Sequence, residues 1–118
     1  MGGKTLEELA GRLRAFAEER DWEQFHSPKN LSMALAVEAA ELLEHFQWLT
    51  EEESLALAPA RRDAVAEELA DVFIYLVRLS DRLGIDLLDA ARAKMAKNAE
   101  RYPVDKSRGH KKKYTELE

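Results

Sequence analysis

Two acidic couplets sit inside otherwise apolar stretches of the chain, Glu38-Ala39-Ala40-Glu41 and Glu68-Leu69-Ala70-Asp71. Carboxylates three residues apart occupy neighbouring positions on one helix surface, so each couplet can aim two oxygen ligands in one direction. Two such helices side by side bring four carboxylates together. Four like charges share a site only if a cation neutralises them or their pKa values rise steeply. Oxygen-only ligands suit a hard ion such as Mg²⁺, which commonly shares its shell with substrate phosphates. The pattern points to a metal-dependent enzyme acting on a phosphorylated substrate.

The elements that must position these acids can be read from pattern. A first helix is expected from about Thr5 to Arg20, opened by the capping-box pattern Thr5-Leu6-Glu7-Glu8. A linker with Trp22, Phe25 and His26 follows, and Pro28 suits the first turn of a second helix running to about Leu49. A polar stretch from Thr50 ends at Pro59, where a third helix begins and continues to Leu83, with Gly84 as its stop. Asp86 caps a fourth helix to about Arg101, and Pro103 prevents its continuation. With no strand pattern, the fold class is all-α, a four-helix-bundle-like domain spanning residues 1–118 with a basic tail from about Pro103.

Helical phase distinguishes the acids. Leu31, Leu35, Leu42 and Leu49 form one stripe, with Glu38 inside it and Glu41 at its edge. On the third helix Val65, Leu69, Val72, Leu76 and Leu83 form the stripe, and Glu68, Asp71 and Tyr75 line its flank. Acids at such spacings also arise by chance in charge-rich helices, and Glu7, Glu8, Glu18, Glu19 and Glu51 to Glu53 read as solvated residues of that kind. Glu38 differs, because a charged and unpaired acid in an apolar stripe costs several kcal/mol as an order of magnitude.

Composition narrows the rest. The 118 residues are 46% hydrophobic and 35% charged, a balance expected of one soluble helical domain. Cysteine is absent, which excludes disulfides, thiolate metal sites and cysteine nucleophiles. No apolar run approaches the roughly 18 residues of a membrane span, and no signal peptide is visible, so a cytoplasmic location is expected. A net charge of −5 argues against binding a nucleic-acid polymer. The basic residues Lys106, Arg108 and Lys111 to Lys113 read as a solvated tail or as an arm over an anionic ligand. Val72 to Val77 is apolar around nearly the whole helix, so a homo-oligomer is expected to cover it. Trp22, Phe25, His26 and Trp48 flank the helix of Glu38, either as core plugs or as flat faces on which a nucleobase stacks.

These residues resemble the MazG-like nucleoside triphosphate pyrophosphohydrolases, most closely the dCTP pyrophosphatase branch. The likeness rests on Glu38-x-x-Glu41 followed after 26 residues by Glu68-x-x-Asp71, on Arg20 through His26, on Phe46-Gln47-Trp48 and on Glu67 through Val77. Lys94-Met95, Asn98, Arg101-Tyr102-Pro103 and Lys113 through Leu117 extend it. The resemblance implies an all-α protein assembling as dimers or tetramers, with Mg²⁺ held by Glu38, Glu41, Glu68 and Asp71. It also implies hydrolysis of a (deoxy)nucleoside triphosphate, dCTP or a modified dCTP, to the monophosphate and pyrophosphate. Trp22, Phe25, His26, Trp48 and Tyr75 would then contact the nucleotide, and Lys94 and Asn98 its phosphates or sugar. Two positions depart from the pattern: Val37 stands where many relatives carry a glutamate, and Leu13 where vertebrate members carry a histidine. The rival readings are a related pyrophosphohydrolase of dUTP or phosphoribosyl-ATP, and a non-catalytic helical module whose acids are polar seams.

Overall fold

Side-chain caps and prolines at helix starts fix where each helix begins. The computed structural model describes residues 5–109 and is all-α, with no strand among them. Thr5 accepts a hydrogen bond from the Glu8 amide at 3.1 Å and opens α1, Leu6–Glu19. Ser27 caps α2, Pro28–Glu44, with Pro28 in its first turn. Pro59 begins α4, Pro59–Leu83, which ends where Gly84 adopts the left-handed region at φ 67°. These starts and stops follow the sequence reading.

Two boundaries do not. The second helix stops at Glu44 rather than near Leu49, and His45 to Leu49 turn away. The turn closes through bonds from the His45, Phe46 and Gln47 amides to Leu42 and Leu43 carbonyls, and Arg61 of α4 donates to the His45 carbonyl at 2.8 Å. The polar stretch beyond it contains a helix of its own, α3, Glu51–Leu55. Thr50 and Glu53 form a reciprocal capping box there, which the run of glutamates disguised as solvated loop.

The chain divides into two compact units, residues 1–85 and 86–118. In the first, α2 packs along α4 and α1 along the later part of α4. Helices α2 and α4 run antiparallel: Arg82 near the end of α4 reaches the His26 carbonyl before α2, while Arg61 near its start reaches His45 after α2. The core includes Ala17 of α1, Leu31 of α2, and Val65 and Val77 of α4. Along α4 the expected stripe is buried at Val65 but about half exposed at Leu69 and Leu83. The docking of α1 shifts burial in the later turns to Val77, Arg78 and Ser80. The second unit holds α5, Leu87–Arg101, capped by Asp86, and the short α6, Val104–Ser107. Lys111 to Lys113 and the stretch through Leu117 lie outside the described residues.

Candidate active site

The antiparallel packing of α2 on α4 delivers the acids of both couplets to one place. One carboxylate oxygen from each of Glu38, Glu41 and Glu68 lies within 4.8 Å of the other two. Asp71, one turn beyond Glu68, is outside that group of three yet near enough to repel charge on Glu38. Oε2 of Glu38 and Oε2 of Glu68 are both sealed from solvent with no hydrogen-bond partner. Buried acceptors without donors are rare in folded proteins and signal a missing positive partner. Burial, hydrogen bonding with Glu68 and Glu41, and repulsion from Glu41 and Asp71 together push the Glu38 carboxyl up to about 7. Three converging carboxylates, two of which carry an orphaned oxygen, fit a hard divalent cation, and nothing in the cluster suits a softer metal.

The polar residues in line with the α4 couplet extend further along the helix than the couplet alone suggested. Arg61, Glu68, Asp71, Tyr75, Arg78 and Arg82 recur at spacings of seven, three, four, three and four residues and so fall on one stripe of the helix. Acids occupy its middle and arginines both ends.

The arginines hold the two aromatic turns. At the late end of α4, Arg78 and Arg82 bind the Trp22–His26 segment, which contains a 3₁₀ turn, Glu23–Phe25. Trp22 is partly exposed, meeting Phe16 edge-on at 5.7 Å and tilted against His26 at 6.2 Å. The Arg20 guanidinium lies over the Phe16 ring, 3.5 Å from its centroid. Burial, and then Arg78, lower the pKa of His26, so its imidazole is neutral at pH 7. Arg78 approaches His26 Nδ1 at 3.3 Å, a donor that requires a lone pair there and so places the ring proton on Nε2.

Trp48 sits at the other end. It is 87% exposed, which excludes a role as core plug. The 17 residues of α2, roughly 25 Å long, separate its turn from the Trp22 segment. One chain therefore does not bring both indoles to a single base, although the resemblance assigns both to the nucleotide. Phe25 is exposed, and Tyr75 is half-buried on the α4 stripe beyond Asp71. Lys94 and Asn98 lie one turn apart and exposed on α5, within the second unit.

Residues 33–117 match the MazG-like family. The chain belongs to that family. Among curated relatives of this MazG-like chain, dCTP pyrophosphatase 1 of Bos taurus is 50% identical over 115 residues, covering 96% of this chain and 68% of the relative. The Homo sapiens protein of the same name is 49% identical with the same coverage. A crystal structure of a pyrophosphatase from Archaeoglobus fulgidus superposes with a TM-score of 0.80 at 41% identity, covering 87% of this chain and 96% of that one. The MazG-like assignment accounts for the all-α fold and for divalent-metal use by the acid cluster. Among the described residues no helix is long and apolar enough to cross a membrane.

Sequence reasoning missed Phe16, Arg78 and Arg82, and took in Glu23 only as part of the Trp22–His26 stretch. Phe16 and Glu23 gave no periodic signal, since their partners lie across a helix end or 55 residues away. Arg78 did give one: an arginine between Val77 and Leu79 is as anomalous in an apolar run as Glu38 is in its stripe.

Proposed function

We propose that this protein hydrolyses dCTP or a closely related pyrimidine triphosphate to the monophosphate and pyrophosphate in a Mg²⁺-dependent reaction. The observation that carries the reading is the half-buried trio Glu38, Glu41 and Glu68, with the Oε2 atoms of Glu38 and Glu68 sealed and without a donor, in a chain half identical to dCTP pyrophosphatases. Glu38, Glu41, Glu68 and Asp71 are the residues that would hold Mg²⁺. When bound, the ion neutralises charge on the triphosphate oxygens and lowers the cost of attack at phosphorus.

The chain's own residues orient the participants. Water forms a bond to the α-phosphorus, the bond from that phosphorus to the bridging oxygen breaks, and pyrophosphate leaves with the electron pair. The water proton passes to a carboxylate oxygen of the acid cluster that α2 and α4 form. No side-chain nucleophile enters, in keeping with a chain that lacks cysteine. Tyr75 continues the stripe toward the Trp22–His26 segment, so base recognition belongs at that end, with neutral His26 beside Trp22. Lys94 and Asn98 are assigned to the phosphates or sugar.

The active form is a homo-oligomer in this reading. Met33 and Val37 on α2, and Leu69 and Phe73 on α4, stay about half exposed on the flank beside the acids. Such a flank is more apolar than a lone domain ordinarily leaves to water. Trp48 then serves a base only by crossing to a second copy. A panel of nucleoside triphosphates with Mg²⁺, followed for pyrophosphate and orthophosphate separately, tests the activity. Orthophosphate as the primary product, or purine triphosphates preferred over dCTP, would overturn it.

A further inference from the structure

Arg78 is 2% exposed, yet the proposed chemistry does not use it. Its guanidinium joins three groups: the Glu23 carboxylate, His26 Nδ1, and Asp81, the last at 3.5 Å. The second oxygen of Glu23 accepts from Arg82 at 3.1 Å, and Arg82 also donates to the His26 carbonyl at 3.1 Å. Asp81 is held in turn by Arg14 of α1 through contacts of 2.8 and 3.0 Å. Withdrawing an arginine from water is costly, and an apolar side chain of similar size at such a position is often neutral or better for stability. Burial of Arg78 thus calls for a purpose other than stability.

What Arg78 holds supplies one. The stretch from Asp21 to Ser27 joins α1 to α2 with a single 3₁₀ turn as its regular structure. It is built tightly all the same. Asp21 occupies the left-handed region at φ 53°, and Gln24 folds back onto its carbonyl and carboxylate at 3.1 and 2.9 Å. The Trp22 amide donates to the Ala17 carbonyl at 2.9 Å, and Asn30 reaches the Phe25 carbonyl at 3.1 Å. Those ties shape the segment; among the described residues, the polar contacts that fasten it to α4 come from Arg78 and Arg82. Both lie on the stripe of Glu68, Asp71 and Tyr75, so they set where the aromatic segment stands along the line that carries the acids.

We propose that Arg78 is a positioning residue: by gripping Glu23 and His26 it fixes the Trp22–His26 segment in register with Glu68, Asp71 and Tyr75, and thereby sets how tightly the site holds a nucleobase and which base it prefers. This rests on the reading that the Trp22–His26 segment faces the base. The acids themselves do not depend on Arg78, so the chemistry at phosphorus should be indifferent to it.

The test variant is Arg78→Met, which leaves Glu23 paired with Arg82 and Asp81 paired with Arg14, so no charge is stranded. KM for dCTP should rise about tenfold, within the range that loss of one stacked base contact produces, with kcat little changed. The preference for pyrimidine over purine triphosphates should flatten. Hydrolysis of 2-deoxyribose 5-triphosphate, which lacks a base, should match wild type. Arg78→Lys, which keeps a charge against Glu23, should restore part of the dCTP KM. Unchanged KM and base ranking in Arg78→Met, or an equal fall on the base-less substrate, overturns the proposal. Should Arg78→Met fail to fold, the half-exposed Arg82→Gln must show the same pattern, and wild-type behaviour there is equally fatal. Independently of activity, fluorescence anisotropy of Trp22 in a Trp48→Phe background should drop on adding Arg78→Met. A wild-type chain inert toward dCTP defeats the functional reading instead, and the Trp22 anisotropy then decides the positioning role alone.

Discussion

Glu38 on α2 and Glu68 on α4 face each other across the helix pair, each with its Oε2 sealed from water and met by no donor. Helix packing thus creates an electrostatic debt that the protein's own atoms leave open, and the first predictions concern how it is met.

Replacing Glu38 with Gln removes one of the cluster's carboxylates and one of its repelling charges. Mg²⁺-dependent hydrolysis should fall by two or more powers of ten, since several kcal/mol of charge stabilisation goes with the ion. The variant should stay helical and, without metal, melt no earlier than wild type at pH 8. Circular dichroism and a pyrophosphate assay on the same preparation check both, and wild-type turnover would sink the metal assignment.

The raised Glu38 pKa gives a signed pH dependence. In the folded chain it protonates at about 7, against an ordinary value of 4.5. Between those values the folded state binds more protons than the unfolded state, so stability falls as pH rises. The contribution is complete below about 4.5 and gone above about 7. Melting temperature in EDTA should therefore decline across this window, the slope should flatten in Glu38→Gln, and added Mg²⁺ should release protons near pH 6.

Asp81 works in the opposite sense. Hydrogen bonds from Arg14 hold its carboxyl below the usual value of 3.8, so its contribution is present above that value and lost as pH falls further. Asp81→Asn should lower the melting temperature by a few degrees at pH 7. At pH 2 the variant and wild type should melt together, and a persisting gap would show that packing rather than charge was lost.

Assembly should depend on the open flank of α4. Phe73→Glu puts a charge among residues expected at a subunit contact and should shift light scattering toward the monomer mass of 13.5 kDa. Ile74, in the same apolar run, is half-buried within the single chain, which makes Phe73 the cleaner probe.

The two tryptophans should separate by phenotype. Trp22→Ala should raise KM for dCTP by about one to two powers of ten, the range of a lost stacking contact. In a Phe73→Glu background that holds the chain monomeric, Trp48→Ala should leave the melting temperature unchanged, because the ring is 87% exposed in the single chain. An early-melting Trp48→Ala protein would contradict the exposed turn.

What was legible in the sequence was whatever repeats at helical period or ends in a cap. Glu38 stood out because an acid interrupts a leucine stripe, and the packing of α2 on α4 follows from those stripes. Thr5, Pro28, Pro59, Gly84 and Asp86 mark boundaries by local chemistry alone, so they were placed closely. The turn at His45 to Leu49 was not legible, because Arg61 secures it from 16 residues away. The Glu23–Arg78 contact is still more distant in the chain and aperiodic. Trp22 and Trp48 were paired by type, and only the antiparallel course of α2 shows that they stand at opposite ends.

The 25 unbroken residues of α4 also constrain how this chain can change in length. Its arginines, acids and tyrosine share a line because the residues between them add up to nearly whole turns. One residue inserted between Glu68 and Arg78 would swing every later side chain by about 100° and carry the aromatic segment off the acids. An insertion between Glu44 and Pro59 would merely lengthen a surface excursion around α3. Natural length variation should therefore collect in that excursion, while the interval from Arg61 to Arg82 admits substitution but not gaps.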